Sequence, residues 1–231
     1  SAYFIHSVSF DAERNLLYFY PHLKERSKVI LNGVDTEHFS KSASRLSIDL
    51  KYDDRIVIGF FGRFMNQKGF RYLVQAIDEI VRNNLLEGKI LVCCFGSGAF
   101  VREEKAEIHQ KGLDDYFIFF PFLADISTAL RRCDLIVMPS LWEACPLLPM
   151  EALCSGVPIV SSDCVGLREV LRGTPAILTK AGDALSLTEG IVECVSGGKK
   201  VFEDYVPVAV RRYDVRRSTN EIYFLYKKVL E

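Results

Sequence analysis

From Arg55 to Val195 the chain alternates short, continuous apolar runs with segments whose apolar residues recur at helical spacing. RIVIGFFG (Arg55 to Gly62) has no polar face to turn towards water, so it suits a strand buried on both sides. FRYLVQAIDEIVRN follows, with Leu73, Ile77, Ile80 and Val81 on one helical stripe. KILVCCFGSG repeats the strand pattern, and AFVREEKAEIHQKG is a charged helix closed by Gly112. YFIFFPF, LIVMPS and PIVSSD are further strands, with the short helix ISTALRRC before LIVMPS. AILTK is a sixth strand ahead of the helical ALSLTEGIVECV. Strands joined one after another through helices lie parallel, and fully apolar strands need helices on both faces. The expected fold class is therefore α/β, a parallel sheet with helices on both faces.

The ends break this alternation. AYFIHSVSF has the pattern of a lone strand and AERNLLYFYPHL that of a helix. KVILNGVDTEHF offers a short strand and an Asn-Gly turn, and a polar stretch from Ser40 to Ser47 leads into the main unit. EIYFLYKKVLE is an amphipathic helix with no strand behind it to cover. These pieces are expected to belong with a second domain, most of which is absent. A length of 231 residues, 49% hydrophobic and 26% charged, allows a sizeable core. A formal net charge of -1 gives no electrostatic footprint for nucleic acid. No apolar run is long enough to span a bilayer, and no secretory leader opens the chain. The seven cysteines form no CxxC pair, which argues against a zinc site or a disulfide framework and for reduced core thiols in a cytoplasmic protein. His6, His22, His38 and His109 are scattered, none at ligand spacing from a Cys or Asp, and are expected to be surface or packing residues.

In open parallel sheets the ligand sits at the carboxyl ends of the strands. Beyond the first strand comes GRFMNQKG, with Gly62 open to close approach, and Arg63 and Lys68 beside a helix start near Gly69. That combination suits a phosphate or diphosphate, although two basic residues near a turn also occur as a solvated loop. GSGAFV, after the second strand, imitates a dinucleotide fingerprint but has Val101 at the third glycine position. It is expected to serve packing more than ligand contact, and it argues against a nicotinamide-dependent oxidoreductase. Beyond the fourth strand stand Glu143 and Glu151, with seven residues between them and a helix starting between Pro146 and Pro149. One carboxylate near a helix start is ordinary electrostatics, worth about 0.3–1 kcal/mol. Two carboxylates flanking free backbone N–H groups suit a ligand with a hydroxylated ring on each side of a diphosphate, the form of a nucleotide sugar.

The pattern resembles the E-x7-E signature of retaining glycosyltransferases with two Rossmann-like domains, the GT-B type, and most closely glycosyltransferase family four (glycosyl transferases group 1). VILNGVDTEHF resembles the hinge entering the donor domain, and IGFFGRFMNQKGF the phosphate loop. CDLIVMPSLWEACPLLPMEALCSGVPIVSSDCVGLREVL resembles the longest signature, and NEIYFLYKKVL the terminal crossing helix. The resemblance implies residues 1–40 as a remnant of an acceptor-side N-terminal domain plus hinge, 41–203 as a Rossmann-like nucleotide-sugar-binding domain, and 204–231 as a helical crossover. Arg63 and Lys68 would neutralise the diphosphate leaving group, so that neither a metal nor a cofactor is required beyond the donor, a UDP-, GDP- or ADP-sugar. Glu143 would contact the transferred sugar and Glu151 the ribose. Gly62 and the backbone of Cys145, Pro146, Leu147 and Leu148 would approach phosphates and sugar, with Phe122 and Leu123 near the base. Arg63, Lys68 and Glu143 are thus the candidate catalytic residues. The reaction implied is hexosyl transfer with retention to a glycan, lipid or other acceptor, in polysaccharide or glycoconjugate biosynthesis, with peripheral membrane association of the full enzyme as a further expectation.

Two departures qualify the resemblance. Pro146 stands where the family often has glycine, and so removes one N–H donor. The acceptor-side domain is not in the chain, and the opening serine in place of methionine fits an excised or processed piece. The chain is expected to be an incomplete catalytic unit. The alternative is a non-catalytic nucleotide-sugar-binding or interaction module. Trp142 is expected either beside the donor sugar or in loop packing, and Glu169 either at the ligand or capping a helix.

Overall fold

The computed structural model describes residues 4–41 and 54–230. The chain opens with β1 (Ile5–Ser7), α1 (Phe10–Phe19), β2 (Ser27–Val29) and α2 (Thr36–Lys41). The main unit runs β3 (Arg55–Phe61), α3 (Phe70–Arg82), β4 (Lys89–Phe95), α4 (Val101–Gln110), β5 (Phe117–Phe120) and α5 (Ser127–Arg132). It continues through β6 (Leu135–Met138), α6 (Leu148–Cys154), β7 (Ile159–Ser162), α7 (Leu167–Leu171), β8 (Ile177–Thr179) and α8 (Ala184–Gly197). Two helices, α9 (Lys200–Tyr213) and α10 (Val215–Leu230), close it. Most of the polar stretch Ser40 to Ser47 lies outside the described residues.

Six strands form one parallel sheet in the order β5-β4-β3-β6-β7-β8. The chain winds outwards from β3 to β5 and then returns to place β6 against the other side of β3. The loops after β3 and β6 therefore leave neighbouring strands in opposite directions, which opens a crevice at the switch point. Alternation along β3 and β4 divides the core. Ile58, Phe60, Val92 and Cys94 face a layer with Leu73, Ile77 and Ile191 of α3 and α8. Val57, Leu91, Cys93 and Phe95 face Leu130, Leu153 and Ala209 of α5, α6 and α9. All seven cysteines are free and buried. Burial pushes Cys93 up to about 11 and Cys154 and Cys194 up to about 12, so these thiols stay protonated packing groups.

The lone strand expected at the start has a partner: β1 pairs with β2 in a separate two-stranded parallel sheet. The hinge segment then crosses the α9–α10 junction. Val34 N–H donates to Tyr213 O at 2.8 Å and Val215 N–H to Val34 O at 3.0 Å. A Cβ on Gly33 would lie 2.5 Å from the Val215 Cα, so the crossing leaves no room for a side chain. α9 continues through Pro207, and residues 203 and 204 lie inside it. Among the described residues no helix is long and apolar enough to cross a membrane.

Candidate functional site

The loop after β3 folds into a 3-10 turn, Asn66–Lys68, that ends at Gly69 in the left-handed region (φ 65°). A Cβ there would sit 2.0 Å from the Pro139 carbonyl oxygen, so only glycine lets this turn press against the end of β6. The two loops are then laced together. Leu141 N–H donates to Gln67 O at 2.8 Å, and Gln67 Nε2 to Trp142 O at 2.9 Å. This brings Lys68 and Glu143, 75 residues apart, into one ion pair with Nζ to Oε1 at 2.6 Å. Ser140 Oγ donates to the same oxygen at 2.8 Å. Glu143 is 8% exposed. Its N–H bonds Val165 O at 3.0 Å, and Gly166 packs so closely that a Cβ would lie 2.3 Å from Glu143 O. A buried carboxylate held on all sides in this way is fixed in place, and it keeps its charge partner.

Lys68 also lines a cleft of about 300 Å³ together with Gly62, Arg63, Phe122, Leu123 and Leu148. These expected residues come from three different segments. Gly62 differs from Gly69 in an informative way: a Cβ there would meet only Lys68 side-chain carbons at 3.8–3.9 Å. Packing does not demand glycine at 62, and the space a side chain would fill is the cleft itself. Phe61 and Phe95, which were not singled out from the sequence, also line it. So do Gly96 and Ser97, the start of GSGAFV, which was expected to serve packing more than ligand contact. Each stands at or just beyond the carboxyl end of a strand, so the strand-end rule contained the signal. Phe61, Phe95 and Phe120 stack in a ladder across β3, β4 and β5, with ring centroids 4.6 and 4.7 Å apart. A Cβ on Gly98 would lie 2.4 Å from Phe64 O, so that part of GSGAFV is a packing turn, as expected.

The other expected residues stand outside the lining of this cleft. Cys145 is buried, and its carbonyl accepts from Asn32 Nδ2 at 2.9 Å. Pro146 is half-buried and Leu147 exposed, just before α6. Glu151 is the fourth residue of α6, with Pro149 in its first turn. Burial pushes its carboxyl up to about 7; the Asp125 charge adds to this and His38 opposes it. Glu143 and Trp142 line a second cavity of about 530 Å³, walled by α1 through Asn15 and Tyr18. Lys68 lines the first cavity and Glu143 the second, so their ion pair stands between the two. Glu169 caps a helix, though a distant one: its carboxylate accepts from Phe10 N–H at 2.8 Å and Asp11 N–H at 2.6 Å, at the start of α1. Two histidines do meet aspartates, contrary to the reading from spacing. His38 Nε2 lies 3.0 Å from Asp125 Oδ1, and His109 Nδ1 lies 3.1 Å from Asp114 Oδ2. Among the described residues no group of three or more His, Cys, Asp or Glu side chains is placed to hold a metal ion.

A doubly wound parallel sheet with Arg63 and Lys68 at its switch point, Lys68 paired to a carboxylate from the facing loop, defines an α/β domain of the anion-binding kind. Residues 55–196 match the family of glycosyl transferases group 1, and the chain belongs to that family. It is 32% identical over 152 residues to the lipopolysaccharide core biosynthesis mannosyltransferase LpsB of Rhizobium meliloti, covering 63% of this chain and 43% of that protein. It is 30% identical over 155 residues to the 2-deoxystreptamine glucosyltransferase of Streptomyces kanamyceticus, covering 66% and 38%. The crystal structure of Anabaena HepE in complex with UDP superposes with a TM-score of 0.85 at 24% identity, over 98% of this chain and 64% of that one. The chain thus spans less than half the length of these curated relatives.

Proposed function

We propose that this chain is the donor-binding part of a nucleotide-sugar-dependent glycosyltransferase that moves a hexose, with retention, to an acceptor glycan or lipid. The observation that carries the reading is the Lys68–Glu143 ion pair between the two cavities. A donor lying in the smaller cleft would place its diphosphate against Arg63, Lys68 and the open face of Gly62, with its base towards Phe122 and Leu123. Its sugar would then reach Glu143, and the second cavity would receive the acceptor hydroxyl beside Trp142 and Tyr18. As the bond from the anomeric carbon to the diphosphate breaks, its electron pair goes to the leaving oxygen, which Arg63 and Lys68 would stabilise. The acceptor oxygen bonds to the anomeric carbon on the same face, and its proton passes to the leaving diphosphate. Glu143 holds sugar hydroxyls and keeps Lys68 in place. Glu151 accepts the ribose hydroxyls. HepE, which shares the fold, was crystallised with UDP, and this supports a uridine nucleotide as the first probe.

The test is calorimetric titration of UDP, GDP and ADP with and without chelator. Arg63→Ala is expected to weaken the preferred nucleotide about tenfold or more, the worth of one charge-assisted bond, and chelator is expected to change nothing. Lys68→Ala is expected to do the same but also to lower the melting temperature, because it strands Glu143 as a buried, unpaired charge. Binding that collapses with chelator and ignores Arg63→Ala would defeat the reading.

A further inference from the structure

We infer that His38 is a positioning residue of the nucleotide cleft: by holding Asp125 it fixes the lip, Phe122 to Ile126, against which the base lies. The inference deepens the nucleotide-sugar reading above and rests on it. Phe122, Leu123 and Ile126 all line the cleft, on the segment between β5 and α5. Only one side chain of that segment makes a hydrogen bond among the described residues, and it is Asp125. Its Oδ1 faces His38 Nε2 at 3.0 Å and accepts from Ser127 N–H at 2.9 Å. The Ser127 bond is local, spanning two residues. The bond to His38 spans 87 residues and adds a directional tie to the apolar packing of Leu123 and Ile126 against the core.

The other end of that bond is well founded. α2 carries Phe39, which is buried, and the Phe39 carbonyl accepts from Arg131 of α5 and from Ser155 Oγ at 3.1 Å, just beyond α6. The His38 ring also packs edge-on to Phe39, with centroids 5.1 Å apart. α2 therefore stays docked whether or not the imidazole is present, whereas the lip loses its one distant side-chain hydrogen bond among the described residues and keeps only the apolar packing of Leu123 and Ile126. The charged groups around the imidazole are Asp125 on the lip and Glu151 on α6; Arg131 of α5 is turned to the Phe39 carbonyl. The imidazole thus stands near both Asp125 and Glu151, the carboxylate assigned above to the ribose. Asn32, six residues earlier in the hinge segment, holds the Cys145 carbonyl of the facing loop. The hinge thus fastens both lips of the site.

A residue that merely supports the fold would lower the affinity of every nucleotide alike. A residue that positions the base lip should change discrimination between bases. The dissociation constants of UDP, GDP and ADP are therefore measured on the wild-type chain and on His38→Ala, His38→Gln and Asp125→Ala. In His38→Ala the preferred nucleotide is expected to weaken about fivefold or more, the worth of one hydrogen bond, and the other two less, so that the ratio between bases contracts. His38→Gln, whose amide can still donate to Asp125, is expected to recover most of the ratio. Asp125→Ala breaks the same bond without touching α2 and is expected to reproduce the loss even if His38→Ala folds poorly. Equal losses for all three nucleotides, or unchanged ratios in both alanine variants, overturn the inference, and so does a wild-type protein that binds all three equally. A wild-type protein that binds none of them removes the nucleotide reading itself, and the inference with it.

Discussion

At Glu151 the environment and the proposed task pull in opposite directions. Burial and the neighbouring Asp125 push its carboxyl from the ordinary 4.5 up to about 7, so the folded protein favours the neutral form near neutrality. A group raised in this way contributes stability that is present below about pH 4.5 and lost as pH rises towards 7. Ribose hydroxyls donate, so they favour the ionised carboxylate, and nucleotide binding should expel the proton. Affinity for the preferred ribonucleotide is therefore expected to rise several-fold between about pH 6 and 8. The rise should be absent in Glu151→Gln and for the 2′-deoxy nucleotide, as calorimetry across that range would show. A ribose preference that survives Glu151→Ala would return the residue to a plain charge at a helix start. The spacing of Glu143 and Glu151 was visible in the sequence. What was not visible is the company each keeps: Lys68, Asp125 and His38 arrive from 75, 26 and 113 residues away, through tertiary folding that no local pattern encodes.

At the scale of elements, the strands were the legible part. RIVIGFFG became Arg55–Phe61 and KILVCCF became Lys89–Phe95, because a run with no polar face has only one way to be buried. α9 was not legible, since Pro207 interrupts a pattern that packing of Phe202, Ala209 and Tyr213 nevertheless holds as a helix. α4 was legible as a charged helix closed by Gly112, but not as one that buries a glutamate. Burial pushes Glu104 up to about 7, Glu107 and Glu103 add to the effect, and Arg71 opposes it. One of its oxygens, Oε2, is buried with no hydrogen-bond partner. The penalty is absent below about pH 4.5 and full above about 7. Glu104→Gln is therefore expected to stabilise the protein by about 1–2 kcal/mol at pH 8, after discounting for partial exposure, and to be neutral near pH 4.5. Melting temperatures at the two pH values would decide; an equal gain at both would mean that packing, not ionisation, is responsible.

For the whole molecule, the decisive feature is that the second cavity lies between α1 and the loops that carry Trp142, Glu143 and Val165. Tyr18 is 80% exposed and Trp142 55% exposed on its sides. Phe19 and Tyr20 at the end of α1, and Phe224 and Tyr226 on α10, are exposed as well. α1 itself is clasped to the main unit, since Arg168 grips Asp11 with both oxygens at 2.9 Å and Glu169 caps the helix start. Burial works to raise Asp11, but the Arg168 bonds outweigh it and hold the carboxyl below its usual value, so the clasp stays charged at neutral pH. On the proposed reading, the donor would be held by groups of the main unit and the acceptor would enter along α1. Nucleotide binding should accordingly be separable from transfer. The isolated chain is expected to bind the preferred nucleoside diphosphate, and to cleave the corresponding nucleotide sugar no faster than the background rate, because an acceptor hydroxyl has nothing to hold it against the anomeric carbon. Trp142 is the chain's only tryptophan, so its fluorescence reports on that cavity alone. Binding of a nucleotide sugar, whose hexose would reach Glu143, should perturb the emission more than binding of the free nucleoside diphosphate. The assay pairs this titration with release of labelled sugar over the same concentrations. Sustained release by the isolated chain would show that the acceptor side is complete without further structure; an emission unmoved by either ligand would take the hexose away from Glu143.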